Sequence, residues 1–157
     1  MPILTKLTEH LDASGVRYEV RTHGTAFTAR GVAAAEHIPG SEVAKVVILR
    51  SGAEFMMAVL PALYKVDLTQ LRHLTGRPEL HLASEEEFTG LFPQCEAGAM
   101  PPFGNLYGLP VWVDEPLSRQ PEIVFNAGTH TQTVHMAYAD FARLVKPRVA
   151  SFGKSED

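Results

Sequence analysis

The stretch VAKVVILRSGAEFMMAVL, Val43 to Leu60, holds two apolar runs separated by Ser51-Gly52. β-Branched and large apolar residues favour extended chain, and Gly supplies the positive φ that a tight reversal needs. The stretch therefore predicts a hairpin of Val43–Arg50 and Glu54–Leu60, apolar almost throughout and so at the centre of a sheet. Lys45 interrupts the first run. Alternation sets it on the face of Val43, Val47 and Leu49, where an ammonium must either snorkel to the rim or meet an anion. Two readings stay open at this point: an edge lysine reaching water, or a ligand for phosphate or carboxylate.

Working upstream, Ile3, Leu4, Leu7 and Leu11 recur at helical spacing ahead of Gly15, and Val16 to Thr22 alternates as a strand. Thr28 caps an alanine-rich helix that runs to about His37 and stops at Ile38-Pro39-Gly40. Downstream, Asp67 caps a helix closed by Gly76, Glu79 to Ala83 is a short strand, and Ser84 with Glu87 opens a helix to Leu91 through a capping box. Val111 to Asp114, Glu122 to Asn126 and Thr131 to Met136 follow as strands, and Asp140 starts a last helix that ends before Pro147. Strands joined by short turns imply antiparallel pairing, with helices inserted irregularly. The class is α+β, not a repeating parallel unit.

With 157 residues, 45% of them hydrophobic and 20% charged, the chain suffices for one core and one domain, expected over 1–150 with 151–157 as a flexible tail. Lys6, Glu9, His10 and Asp12 break the first helix, so the start resembles neither a signal peptide nor a membrane span, and no membrane partner is expected. A single cysteine, Cys95, excludes an internal disulfide framework and suits a cytoplasmic location. The formal charge of −4 argues against broad binding to DNA, while leaving room for a local contact with RNA.

Catalytic signatures are few. The seven histidines form no HExxH or other ligand spacing, and His130 and His135, five apart, point to opposite faces of a strand; no metal is expected. No GxSxG elbow, no partnered cysteine and no phosphate-binding glycine motif occurs, so neither a side-chain nucleophile nor a cofactor is indicated. Cys95 reads as a partly buried small thiol, and Glu85-Glu86-Glu87 as a first helical turn that complements the helix dipole. What stands out is the segment Gly98-Ala99-Met100-Pro101-Pro102-Phe103-Gly104. Two prolines fix consecutive φ angles between flexible glycines, so its carbonyls and remaining N–H groups are preorganised. A rigid connector and a functional loop are both consistent with that composition. His130, after Asn126-Ala127-Gly128-Thr129, is either a pocket residue or a polar turn residue.

Several of these pieces in this order resemble the YbaK family, which includes the editing domain inserted in bacterial prolyl-tRNA synthetases and its free-standing relatives. They are His23-Gly24 with Thr28-Ala29, Ile38-Pro39-Gly40 ahead of Ala44-Lys45, Ala58-Val59-Leu60-Pro61, Cys95 to Gly104, and Asn126 to His130. The resemblance runs from about Val16 to Val145. It implies an α+β domain with a curved, mostly antiparallel mixed sheet flanked by helices. It also implies hydrolysis of the ester joining a wrong amino acid to a tRNA, without cofactor or metal. By the same resemblance, Lys45 holds the terminal nucleotide and the Gly98 carbonyl positions a ribose hydroxyl that helps activate water, with His130 as the third catalytic candidate. Ala99, Met100, Pro101, Pro102, Phe103, Gly104, Asn126 and Gly128 are the candidates for lining the aminoacyl pocket, Met100, Phe103 and the prolines as a sieve. The implied partners are the acceptor end of an aminoacyl-tRNA and a synthetase. Alanyl-tRNA for proline is the first substrate to expect, although relatives specific for alanine carry Asn where this chain has Val46. A synthetase pocket separates amino acids differing by one methylene by only about 1–3 kcal/mol, which is why a second sieve is useful. The alternative is a noncatalytic module that binds an acceptor end or an aminoacyl nucleotide.

Overall fold

A computed structural model describes residues 4–155. In chain order the elements are α1 (Thr5–Ser14), β1 (Tyr18–Thr22), α2 (Ala29–Glu36), β2 (Ala44–Ser51), β3 (Glu54–Pro61), β4 (Tyr64–Val66), α3 (Leu68–Thr75), β5 (His81–Leu82) and α4 (Glu85–Phe88). There follow β6 (Val111–Asp114), α5 (Glu115–Ser118), β7 (Glu122–Asn126), β8 (Gln132–Ala137), α6 (Tyr138–Val145), β9 (Arg148–Ala150) and β10 (Gly153–Ser155).

The hairpin forms where its sequence places it. β2 and β3 pair antiparallel from Ala44↔Pro61 to Ser51↔Glu54, and Gly52, at φ 62°, turns the chain between them. The pair sits inside a five-stranded sheet of order β5-β2-β3-β6-β9, with β6 and β9 added in parallel. Alternation sends Ala44 and Ile48, with Met57 and Val59, into the larger core; Leu49, with Met56, Ala58 and Leu60, enters a second core on the opposite face. The strand pair is apolar on both faces because both faces are covered.

The single sheet expected from the sequence is divided. β1-β8-β7 is a separate antiparallel sheet, β10-β4 is a two-stranded ribbon, and one parallel bridge, Val43↔Val124, ties the start of β2 to β7 and so the five-stranded sheet to the three-stranded one. A small cluster of Ala26, Val32, Ala33, Val43, Ala62 and Val124 fills the space at that junction, beneath α2. The α+β class and the mixed, largely antiparallel pairing hold, and the two larger sheets contribute to one core.

Local signals place the helices well. Thr28 accepts from the Gly31 N–H and Asp67 from the Gln70 N–H, Ser84 and Glu87 complete a capping box, and Gly15 and Gly76 end their helices in the left-handed region. Ile3, counted in the first helical stripe, lies outside the described residues. The last helix begins two residues before Asp140, at Tyr138, whose N–H is taken by the Pro121 carbonyl.

The chain end requires correction. Ser151 to Ser155 do not form a tail: Phe152 is buried in the second core and β10 pairs with β4. Buried Asp114 accepts from the Phe152 and Gly153 N–H groups at 3.0 Å each, and the Phe152 carbonyl accepts from Asp67 N–H at 2.6 Å. One aromatic residue in a short polar segment is a weak signal, and its partners stand some 40 and 90 positions away. Positions 156–157 of the expected tail lie outside the described residues. Among the described residues no helix is long and apolar enough to cross a membrane.

Candidate active site

Where β2 begins, its first residues face the N-terminal end of α2 across a cleft of about 350 Å³. Ala44, Lys45 and Val46 form one wall and Phe27 to Arg30 the other; Gly98, Met100, Asn126 and Ala62 close it. α2 is held in place from its far end. Glu36, with its carboxylate buried, accepts from Thr133 Oγ1 at 2.6 Å and from His135 Nε2 at 2.7 Å. That bond draws His135 toward α2, on the opposite side of β8 from its neighbour Val134 in the larger core.

Lys45 is half-buried, and its ammonium donates to the Tyr64 carbonyl, which holds the charge at the cleft. The strand that carries Lys45 is not the edge strand of one open reading, since β2 lies between β5 and β3. β5 covers β2 only at Leu49 and Arg50, so Lys45 lies in a central strand but beyond the reach of its outer neighbour. Placement at a cleft floor, not at an outer sheet edge, brings an ammonium to a ligand of opposite charge.

The loop from Cys95 is fixed by hydrogen bonds to the turn after β7. The Glu96 N–H donates to the Gly128 carbonyl at 2.8 Å, the Gly128 N–H to the Ala99 carbonyl at 2.9 Å, and the His130 N–H to Glu96 Oε1 at 2.6 Å. His130 Nε2 completes the set by donating to the Ala97 carbonyl at 2.7 Å. Between these anchors Gly98 sits at φ 81°, exposed to the cleft, with its N–H and carbonyl unclaimed by other backbone groups among the described residues. A rigid, unsatisfied peptide is suited to orient a polar hydrogen on a ligand without reorganising.

The sequence-derived candidates separate into three groups. Lys45, Gly98, Met100 and Asn126 converge on the cleft. His130 stands one layer behind it, buried, with its ring 4.9 Å from that of Phe27, and acts on the loop. Ala99, Gly128 and Gly104 are packing positions: Ala99 and Gly128 exchange a backbone bond, and a Cβ on Gly104 would lie 2.6 Å from Val111 Cγ2. Pro101, Pro102 and Phe103 are buried outside the cleft lining; Phe103 packs against Phe125 and Phe141 in the larger core. Of the four residues expected to form a sieve, Met100 alone lines the cleft.

Sequence reasoning missed Phe27. Its side chain is 73% exposed at the cleft mouth, beside Thr28, whose role as helix cap was legible. An aromatic residue directly before a capping threonine was the available signal. Also missed was the state of Asn126, whose amide oxygen is buried with no hydrogen-bond partner. A buried acceptor left open at a cleft wall keeps its lone pairs available to a donor. Cys95 lies outside the cleft near the Tyr107 hydroxyl, and burial pushes its thiol up from the ordinary range. Among the described residues no group of three or more His, Cys, Asp or Glu is placed to hold a metal ion.

Residues 23–144 match the family model described as the aminoacyl-tRNA editing domain. The chain is 29% identical over 158 residues to the multifunctional Ser/Thr-tRNA deacylase ProXp-y of Escherichia coli K12, covering 96% of this chain and 92% of that protein. Two solved structures share the fold. A hypothetical protein, APE2540, superposes with a TM-score of 0.85 at 20% identity over 95% of this chain and 99% of the other. A candidate trans-editing enzyme for prolyl-tRNA synthetase superposes with a TM-score of 0.81 at 22% identity over 96% of both chains.

Proposed function

The chain belongs to the aminoacyl-tRNA editing domain family and is an aminoacyl-tRNA deacylase; from that premise we propose that the cleft takes the 3′-terminal aminoacyl-adenosine of a tRNA carrying a small amino acid. The observation that carries this reading is the convergence of Lys45, Gly98, Met100 and Asn126 on one cleft. Among the described residues no Cys, His, Asp or Glu side chain lines that cleft, Thr28 is engaged as a helix cap and Lys45 donates to the Tyr64 carbonyl, which supports water as the attacking group. Lys45 binds the terminal phosphate. The Gly98 carbonyl accepts from the ribose hydroxyl next to the ester, and that hydroxyl orients the water. Water adds to the ester carbonyl, the bond to the ribose oxygen breaks, and the water proton passes to that oxygen, releasing free amino acid and tRNA. Exposed Phe27 offers a face on which the terminal base stacks.

Two observations bear on the amino acid. Met100, Ala44 and Val46 leave a shallow apolar floor, which suits a small side chain such as alanine. The open Asn126 oxygen asks for a donor, which the hydroxyl of serine or threonine supplies in addition to an α-ammonium. We therefore rank seryl and threonyl esters ahead of the alanyl-tRNA for proline suggested by sequence. The Escherichia coli relative, named for Ser/Thr-tRNA, points the same way.

Deacylation of seryl-, threonyl-, alanyl- and cysteinyl-tRNAs, with Lys45→Ala alongside, tests the reading. Hydrolysis of a small-amino-acid ester that falls at least tenfold in the variant is the expected result. Tight binding without turnover on any tRNA would instead identify a binding module.

A further inference from the structure

In the β4–β10 ribbon Lys65 and Lys154 stand directly opposite one another, and both are exposed. Directly opposed residues of an antiparallel pair share a face with Cβ atoms about 4.5–5.5 Å apart, where like charges destabilise the pairing. Tyr64 and Val66 pack into the second core, so the two lysines between and across from them turn outward. Neither has a hydrogen-bond or ion-pair partner among the described residues. The ribbon is held by buried Phe152 and by the Asp114 carboxylate, so the two ammonium groups are carried on fixed backbone.

Position gives the pair a direction. The Tyr64 carbonyl, beside Lys65, accepts from Lys45, and Ala62, two residues earlier, lines the cleft. Lys65 is thus one residue from the carbonyl that holds Lys45, and Lys154 is its direct partner across the ribbon. One lysine would suffice to protect a ribbon edge from aggregation; two face to face repel, and an anion between them relieves that repulsion. In a chain of formal charge −4 this is a local feature, not a consequence of overall basicity.

We propose that Lys65 and Lys154 form a binding site for the phosphodiester backbone of the RNA strand whose end enters the cleft. A single polynucleotide, with a phosphate for about every 3.4 Å of rise along each strand, engages the ribbon and Lys45 together. This inference rests on the reading of the cleft as an acceptor-end site. It assigns a role to the chain end that sequence left without one.

The test measures binding of uncharged tRNA across a salt series for the wild type, Lys65→Gln, Lys154→Gln, the double Gln variant and the double Arg variant. Thermal midpoints and hydrolysis of a short aminoacyl-adenosine ester are measured alongside. The double Gln variant should flatten the slope of log affinity against log salt by about 1.5 and weaken tRNA binding roughly 10- to 30-fold at 0.1 M salt. The single variants should each give about half the slope change, and double Arg should retain binding. Activity on the short ester and the thermal midpoint should not fall. An unchanged salt slope overturns the proposal, and so does a lowered thermal midpoint, which would make the pair structural. If the wild type shows the lysine-dependent slope but hydrolyses no charged tRNA, the ribbon stands and the deacylase reading of the cleft fails. If charged tRNA is hydrolysed but the slope is the same in every variant, the cleft reading stands and the ribbon site fails.

Discussion

The Nε2–H of His130 donates to the carbonyl oxygen of Ala97 across 2.7 Å, fixing the peptide immediately before Gly98. A carbonyl oxygen only accepts, so the proton of a neutral His130 ring lies on Nε2. His130 thus holds the loop and backs the Phe27 ring without itself lining the cleft. His130→Ala should lower kcat for deacylation roughly 10- to 100-fold with little change in KM, as expected when a reacting geometry loosens by about 1 Å. His130→Gln, which keeps an N–H donor, should recover part of the loss. A rise in KM with kcat intact would show that the loop is held by its backbone bonds alone.

Gly98 and Gly128 both occupy positive φ, at 81° and 99°, but their surroundings differ. A Cβ at Gly98 would meet only His130 Cε1 at 3.7 Å, whereas one at Gly128 would lie 3.1 Å from the Leu4 Cβ. Gly98→Ala should cost about 1–2 kcal/mol, the torsional penalty alone. Gly128→Ala should cost more, because Leu4 is buried and its N–H is tied to the Ala127 carbonyl. Urea denaturation of the two variants ranks them; equal losses would refute the packing argument.

Phe27→Ala removes an exposed ring that contributes little to the core, so the thermal midpoint should stay within a few degrees of wild type. Stacking of one base on an aromatic ring is worth about 1–3 kcal/mol, and the variant should raise KM for charged tRNA roughly 5- to 100-fold. Unchanged KM would leave the terminal base without its proposed platform.

Asp114→Ala deletes the shared acceptor of the Phe152 and Gly153 N–H groups. Leaving two donors unpaired should destabilise the fold by about 2–4 kcal/mol. Limited proteolysis should then cut first near Ser151. Asp114→Asn keeps an oxygen in place and should lose less. Wild-type resistance at that site in Asp114→Ala would mean that Phe152 burial alone holds the end.

Burial holds the Cys95 thiol above its ordinary range, and the Tyr107 hydroxyl beside it is pushed up too, chiefly by burial. The folded protein thus keeps protons that the unfolded chain would release. These groups contribute full stability below their unfolded values, and that contribution is lost as pH rises through the folded ones. Alkylation of Cys95 at pH 8 should be several-fold slower than for an unfolded control, and denaturation midpoints should fall on the alkaline side. Equal alkylation rates would refute the shielding.

The hairpin, the helix caps and the alternation that singled out Lys45 were legible because each depends on residues close together in sequence. Thr28, Asp67, Ser84 and Gly76 act within one helical turn, and Ala44 to Ser51 alternate in place. The loop from Gly98 was recognised as rigid from its prolines, yet the chain after them carries Phe103 into the core, and only Gly98 and Met100 of the loop line the cleft.

What sequence determined by itself was the α+β class and the central hairpin, since torsional preference and periodicity are local properties; the cleft residues followed from the resemblance to a family. Tertiary structure alone decided which of those residues meet. It set His130 behind Gly98 instead of beside it, brought Phe27 to the mouth, and folded Phe152 into a core so that Lys154 lies opposite Lys65. Those relationships join positions from 33 to roughly 100 residues apart. They are fixed by burial and by the need to pair buried N–H and carbonyl groups, which no local pattern encodes.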